Sequence, residues 1–299
     1  MFTFSVAKNT YLQDESHVNH LFNTKAYIGV KDPADFYLLK VMRGDKVEAS
    51  LYLFQNDGDF FSPLKATFGG VEYTSDTAAR YLLTHMRYWL DKQRYSSLKL
   101  VLPPVFLMGS QHLYTGFDHC IIDKNYHIPI TDHPFERGLH PSALRRLKKC
   151  LKHYFSCSLW ECPEMDTVYD FIDKARKRKG YPMTMQRVDF KKMFETLPAN
   201  YLVFVVKQAE KIAALGVTVK LSSDVLYHFY PADAEDFLGF SPSIFLHKVM
   251  YEYCQEHGYS YLDLGIATDK GVDNQGLIRF KENLGATLSQ KKTYILTNE

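Results

Sequence analysis

The stretch from residue 201 to residue 285 constrains the fold most, because its apolar pattern changes period halfway along. Its first part holds three short runs of β-branched, aromatic and other apolar residues, separated by polar breaks, at residues 201–206, 211–219 and 225–230. Runs of this kind with short polar connections predict β-strands joined by tight turns. The first part is therefore predicted to form three antiparallel strands.

The period becomes helical after Ser241. Pro242 suits the first position of a helix, Ser241 suits the position before it, and Gly258 suits its end. Between them the apolar residues fall on one helical face, at Phe245, Leu246, Val249, Met250 and Tyr253. The remaining residues predict a strand at 261–265, a short helix at 275–284 and a last strand at 287–296.

An earlier part of the chain repeats this order. Residues 36–102 hold three strand-like runs, then a helical pattern at 77–92, then a strand at 98–102. A strong hairpin signal, Asn56-Asp-Gly-Asp59, lies between the second and third runs. Two copies of one supersecondary unit are therefore expected. They divide the chain into an N-terminal domain at 1–135 and a C-terminal domain at 136–299, whose first element is a basic helix.

Three phrases of the second copy resemble a known family. They are Gly239-Phe-Ser-Pro-Ser243, Tyr261-Leu-Asp-Leu-Gly265, and Gly276-Leu-Ile-Arg-Phe-Lys281 followed by Gly285. In this order they resemble the Fem-type and BioF-like GNAT acyltransferases. The resemblance implies an α/β (α+β) fold of two tandem GNAT-like domains, each a mixed, mostly antiparallel sheet flanked by helices.

The resemblance also implies an activity. It favours an N-acyltransferase that passes an activated acyl group, from acyl-CoA or a similar donor, to an amine acceptor such as a cell-envelope or polysaccharide precursor. One alternative is aminoacyl transfer from charged tRNA, as in the Fem peptidoglycan ligases, although the long helical arm that many of those ligases carry is not seen here. Another is a non-catalytic binding module with a degenerate cleft.

Three residues are the catalytic candidates. The resemblance places Lys281 beside the reacting groups, where an ammonium could stabilise an oxyanion. It is expected on an exposed helix, with Arg279 on another face. Asp263 lies between apolar residues of a predicted central strand, so it needs a partner, and a hydrogen bond to the following loop competes with work as a general base. His228 has a suitable pKa range for a base, although a packed histidine is the competing interpretation.

Substrate-binding candidates come from two regions. The helix predicted from Pro141 to Phe155 has an apolar stripe at Leu144, Leu147, Leu151 and Tyr154, and basic residues that include Arg145 and Arg146 on its other faces. These arginines could bind a small-molecule, nucleotide-linked or lipid-linked acceptor through its phosphates, whereas solvated surface charge is the common alternative. Tyr230 and Phe280 complete the set.

The donor site is expected before the helix at 242–256. Acetyl-CoA-binding GNAT enzymes carry (Q/R)-x-x-G-x-(G/A) there, and its N–H groups bind pyrophosphate. This chain keeps Gly239 and adds Ser241 and Ser243, but lacks the basic or amide residue and the second small residue. Acyl-CoA is therefore a candidate co-substrate, although the complete pyrophosphate-binding motif is not present.

Composition bounds the remaining expectations. A net charge of +2 does not mark a general nucleic-acid binder, and five cysteines without a CxxC pair suggest reduced thiols. The histidines show no zinc-like spacing, so no metal is expected. No signal peptide and no apolar run of about 18 residues are seen. We therefore expect a cytoplasmic protein without integral membrane association. Of its possible partners, tRNA is less favoured.

Overall fold

Two groups of residues, each with its own apolar core, make up the chain in the computed structural model, which describes residues 1–108 and 113–298. The first unit comprises Met1–Lys124, Thr268–Val272 and Ser289–Glu299. The second unit comprises Asn125–Ala267 and Asp273–Leu288.

The first eight regular elements belong to the first unit. They are β1 (Thr3–Lys8), α1 (Lys25–Lys31), β2 (Phe36–Arg43), β3 (Lys46–Asn56), β4 (Asp59–Ser62), β5 (Glu72–Tyr73), α2 (Asp76–Leu90) and β6 (Ser97–Val101). A short 3-10 helix precedes α1.

The remaining elements follow in chain order. They are β7 (His119–Pro129), α3 (Pro141–Lys152), β8 (Phe155–Leu159), α4 (Met165–Arg178), α5 (Arg187–Thr196), β9 (Tyr201–Gln208), β10 (Lys211–Lys220), β11 (Val225–Asp233), α6 (Pro242–Glu256), β12 (Tyr261–Ile266), β13 (Thr268–Asp269), β14 (Val272–Asp273), α7 (Gln275–Asn283) and β15 (Thr287–Thr297). Two more 3-10 helices lie at Phe135–Gly138 and Glu235–Phe240.

In the first unit, β1 to β4 form an antiparallel series, and β4 then pairs in parallel with β6. The C-terminal part of β15 pairs antiparallel with β6. Helix α2 begins after Ser75, whose side chain accepts a hydrogen bond from the Ala78 N–H, as a helix cap should. Its apolar face includes Leu82 and Met86, and it packs in a core with residues of β2, β3 and β6.

In the second unit, β8, β9, β10 and β11 form an antiparallel series, and β11 pairs in parallel with β12. Strand β7 pairs antiparallel with β12 on its other side. Helix α6 is buried along most of its length, through residues such as Leu246 and Met250. It packs in one core with apolar residues of β9, β10, β11 and β12.

The two units share one order of elements. In each, three antiparallel strands lead into a helix, and the strand after the helix pairs in parallel with the third strand. A parallel pair needs a crossover connection, which α2 and α6 provide. The structure therefore confirms the predicted fold class, a mixed α/β architecture with mostly antiparallel sheets flanked by helices.

Two local predictions are wrong. The sequence of residues 120–130, Cys-Ile-Ile-Asp-Lys-Asn-Tyr-His-Ile-Pro-Ile, suggests a hairpin, but these residues lie mainly in the single strand β7. Helix α3 ends at Lys152, so Tyr154 lies beyond it and is 89% exposed, and Leu151, although within the helix, is 46% exposed and not part of the buried face. The buried face of α3 is formed instead by Leu147 and by two smaller residues, Ala143 and Cys150.

Candidate active site

A cavity of about 460 Å³ opens in the second unit beyond the point where β11 and β12 stop pairing. The two strands pair only from Val225↔Tyr261 to Tyr227↔Asp263. Helices α4, α6 and α7 supply most of the cavity wall. Its lining residues include His228, Asp233, His247, Leu264, Phe280 and Lys281.

A β-bulge in β11 shapes this region. Val217 pairs with Tyr230, and the next residue, Thr218, pairs with His228, so Phe229 is an extra residue in the ladder. Side chains of a regular strand alternate, and one inserted residue changes which side each later residue faces. His228 consequently contacts His247 of α6, whereas the Tyr230 ring packs near Phe190 of α5.

The Lys281 ammonium lies inside the unit. The side chain is only 4% exposed, so the expectation of an exposed lysine is wrong. Its Nζ donates hydrogen bonds to the Gly265 and Ile266 carbonyl oxygens, both at 2.8 Å. Burial disfavours the charged form and lowers the pKa of Lys281 to about 7, although the nearby Asp263 carboxylate opposes this shift. Arg279 is exposed, as expected.

Asp263 fixes the end of β12, which carries these two carbonyl groups. Its Oδ1 accepts hydrogen bonds from the Gly265 N–H at 2.9 Å and from Asn125 Nδ2 at 2.8 Å. Gly265 has a φ of +73°, a conformation that glycine adopts without the cost of a side chain. The carboxylate therefore accepts a local backbone hydrogen bond within β12, rather than from the following loop as the sequence suggested, and it fixes the position of the Lys281 acceptors.

Two buried histidines are in contact at the cavity. His228 Nδ1 lies 3.2 Å from His247 Nε2, and His247 Nδ1 lies 2.6 Å from the Ser243 carbonyl oxygen. Burial lowers the pKa of His247 to about 4 and places the pKa of His228 well below its ordinary value, and Lys281 adds to both shifts. Both rings are therefore neutral at pH 7.

A second polar group lines another part of the wall. The Asp233 carboxylate accepts a hydrogen bond from the Ser243 hydroxyl, and Lys179 Nζ lies 3.5 Å from its other oxygen. Burial raises the pKa of Asp233. The cavity thus combines an apolar wall with a carboxylate, two neutral imidazoles, the amines of Lys179 and Lys281, and the guanidinium of Arg176.

The loop before α6 faces the basic helix α3. Arg146 donates a hydrogen bond to the Ser241 hydroxyl at 3.4 Å, and Lys149 donates one to the Gly239 carbonyl oxygen at 2.9 Å. Ser241 has a φ of +56° and its side chain does not cap the helix, contrary to the structural role expected of it. Arg145 is exposed on the same helix.

The structure brings together some of the predicted site residues. His228, Ser243, Phe280 and Lys281 all line the cavity. Tyr230 is buried and its hydroxyl lies 2.5 Å from Thr184 Oγ1, so it contacts the α4–α5 side of the sheet. Asp263 and Tyr230 are not among the described residues that line the cavity, and neither are Arg145, Arg146, Gly239 and Ser241.

Sequence reasoning missed His247 and Asp233. His247 follows Ser243 by four positions, so both lie on one face of the predicted helix, and this spacing was the available signal. Asp233 lies at the last position of β11, beyond the run recognised as a strand.

Two features are absent from the described residues. No cluster of three or more histidine, cysteine or acidic side chains there could hold a metal ion. No helix among residues 1–108 and 113–298 combines the length and apolar character of a membrane span.

Comparison with known proteins gives matches in structure alone. No protein-family model and no curated sequence matches the chain. The structure of FemX is similar, with a TM-score of 0.67 and 15% identity over 98% of this chain and 97% of FemX. A tandem GNAT protein from the clavulanic acid biosynthesis pathway has a TM-score of 0.56 and 11% identity, over 99% of this chain and 98% of its own.

The lysylphosphatidylglycerol synthetase L-PGS of Bacillus licheniformis is also similar, with a TM-score of 0.58 and 13% identity over 84% of this chain and 82% of that protein. At such identities the matches establish the fold. The Fem-type, tandem GNAT-like fold that the sequence resembles is therefore confirmed.

Proposed function

We propose that this chain is an acyltransferase that moves an activated acyl group onto an amine acceptor in the cavity of the second unit. Its structural neighbours include FemX, a lysylphosphatidylglycerol synthetase and a tandem GNAT protein, which favours acyl or aminoacyl transfer over other chemistry. Fold similarity alone does not define an activity, so the proposal depends on the site.

The observation that carries the proposal is the placement of Lys281. A protonated amine has three N–H donors, and two of them are used by Gly265 and Ile266. The third remains for a ligand in the cavity that Lys281 lines. When an amine attacks a thioester or ester, negative charge develops on the carbonyl oxygen. A fixed ammonium in a buried site stabilises that charge with little reorganisation.

The other residues take supporting roles in this proposal. His228, a neutral imidazole at the same cavity, is the candidate base for the attacking amine. Asp263 acts as a positioning residue, since it fixes the end of β12, whose carbonyl groups orient Lys281. Phe280 packs edge-on against His247, with 5.7 Å between ring centroids, and supplies apolar surface for the acyl group.

The start of α6 bears on the donor. Pro242 has no N–H, and the Ile244 N–H donates to the Ser241 carbonyl, so the backbone offers few free donors for a pyrophosphate. Positive charge is nevertheless present in Arg146 and Lys149, which contact the loop at Ser241 and Gly239. The side chains of α3 would therefore bind the phosphates of acyl-CoA, with Ser243 nearer the acyl end.

The same observation supports a second candidate donor. An aminoacyl ester of tRNA needs no pyrophosphate site at the start of α6, because its leaving group is a ribose hydroxyl. The basic helix α3, with Arg145 and Arg146, would then bind the nucleic-acid backbone rather than the phosphates of acyl-CoA. Acyl-CoA and aminoacyl-tRNA are thus alternatives for one cavity.

The test is a donor panel followed by substitution of Lys281. Purified protein would be incubated with acetyl-CoA, longer acyl-CoAs or charged tRNA, together with amine acceptors, and products would be identified by mass spectrometry. Loss of product on RNase treatment assigns the tRNA donor. Lys281→Ala should lower turnover by roughly a hundredfold or more.

Arg279→Ala is the control, because this side chain is exposed two residues away on the same helix, and it should retain activity. Wild-type turnover in Lys281→Ala would remove the lysine from the mechanism. Tight, salt-sensitive RNA binding with no turnover for any donor would instead favour the non-catalytic binding module.

A further inference from the structure

The contacts of the two buried histidines define where their protons lie. A carbonyl oxygen can only accept a hydrogen bond, so His247 Nδ1, at 2.6 Å from the Ser243 oxygen, must carry a proton. In a neutral imidazole the other nitrogen is then an acceptor. His228 Nδ1, 3.2 Å from that acceptor, must therefore be the donor, which leaves a lone pair on His228 Nε2.

That lone pair accepts no hydrogen bond from the part of the chain that the structure describes. Among the described residues, His228 Nε2 is a buried nitrogen without a hydrogen-bond partner. Gly216 keeps the space beside it open, because a Cβ at this position would lie 2.8 Å from Nε2 and 3.1 Å from Leu246 Cδ2. Leaving a buried acceptor unpaired is unfavourable, so a partner that arrives with a ligand would account for it.

We propose that His247 is a positioning residue, which fixes the tautomer of His228 so that Nε2 accepts the proton of the attacking amine. The inference rests on the proposed acyl transfer. The amine nitrogen forms a bond to the acyl carbon, and its proton passes to His228 Nε2. The bond from carbon to the thiolate or alkoxide leaving group then breaks, and His228 Nε2 donates the same proton to that group.

The chain of contacts suits this transfer. When Nε2 of His228 gains a proton, the new positive charge is shared through Nδ1–H with His247, whose own N–H is held by Ser243. The transfer takes place only after attack, when the nitrogen carries a positive charge and gives up its proton more readily. A weakly basic, buried imidazole is suited to a proton that it holds only briefly.

The experiment pairs two substitutions that differ in one property. The glutamine side chain of His247→Gln has a carbonyl oxygen that can accept from His228 Nδ1, whereas the side chain of His247→Leu cannot. We expect His247→Gln to keep kcat within about threefold of wild type. His247→Leu should lose tenfold or more in kcat at nearly unchanged KM. His257→Leu is the control, since His257 makes the same contact to the carbonyl four residues earlier but is exposed.

Nitrogen-15 NMR of the full-length, histidine-labelled protein gives a readout that does not depend on activity. Wild type and His247→Gln should show His228 with its proton on Nδ1, and His247→Leu should show a mixture or the Nε2–H form. A wild-type Nε2–H form, or wild-type kcat in a folded His247→Leu variant, would overturn the inference. If no donor supports turnover, the proposed function fails, while the tautomer measurement still decides whether His247 positions His228.

Discussion

The buried ammonium of Lys281 should make stability depend on pH in a way that one substitution removes. The group has a pKa of 10.5 when unfolded and about 7 in the folded protein. Between these values the unfolded chain binds more protons than the folded one, so the unfolding free energy rises with pH. Each unit of pKa difference corresponds to about 1.4 kcal/mol.

Lys281→Met is the informative change, because methionine has a similar length and no charge. From the two pKa values, the linkage relation predicts that burial of Lys281 lowers the unfolding free energy of wild type by roughly 4 kcal/mol at pH 7 and by roughly 2 kcal/mol at pH 9. The variant has no such cost. It does leave the Gly265 and Ile266 carbonyl oxygens without their donor, which costs about 1–3 kcal/mol at any pH.

Wild type should therefore gain about 2 kcal/mol over Lys281→Met between pH 7 and pH 9. Urea unfolding of both proteins at pH 7, 8 and 9 and equal ionic strength would measure this difference. Tyrosines, cysteines and the amino terminus are common to both chains, so their titration largely cancels in the comparison. A stability difference that stays constant across this range would refute the claim that the ammonium is buried at a depressed pKa.

Other substitutions test the surroundings of the cavity. Asp263→Asn removes the charge that raises the pKa of Lys281, so kcat should begin to fall at a lower pH on the alkaline side of its profile. An unchanged profile would show that Asp263 does not affect the titration of Lys281. Gly216→Ala should cost about 1–3 kcal/mol in thermal or urea unfolding, because its Cβ meets His228, and unchanged stability would contradict the tight approach. Arg146→Glu should raise the KM for a phosphate-bearing substrate while the unfolding free energy changes by only about 0.5 kcal/mol, and an unaltered KM would leave this arginine as solvated charge.

The order of elements was readable from the sequence because it depends on local patterns. Apolar alternation, turn residues and helical spacing predicted β9 to β11, α6, β12 and α7 with small errors at their ends. The repeat of that order gave the fold class. The phrase Gly276-Leu-Ile-Arg-Phe-Lys281 also led to the lysine that lines the cavity.

Side-chain environments were decided by the tertiary structure. Regular alternation would place His228 and Tyr230 on one face of β11, but the bulge at Phe229 separates them, and only His228 reaches the cavity. A bulge depends on how neighbouring strands pair, which a single strand's sequence does not specify. The same holds for the end of α3, where Tyr154 has a φ of +57° and its ring remains exposed.

The chemistry of the site arises from contacts between residues far apart in sequence. His228 meets His247 across 19 residues, Lys281 meets Gly265 across 16, and Arg146 meets Ser241 across 95. Local sequence determined which of these side chains lie on helices and which on strands. Whether a side chain is buried, and whether it is charged or neutral, depends on the low-dielectric surroundings that only the folded unit creates. For this reason the sequence identified Lys281 as a site residue but predicted that it would be exposed to solvent.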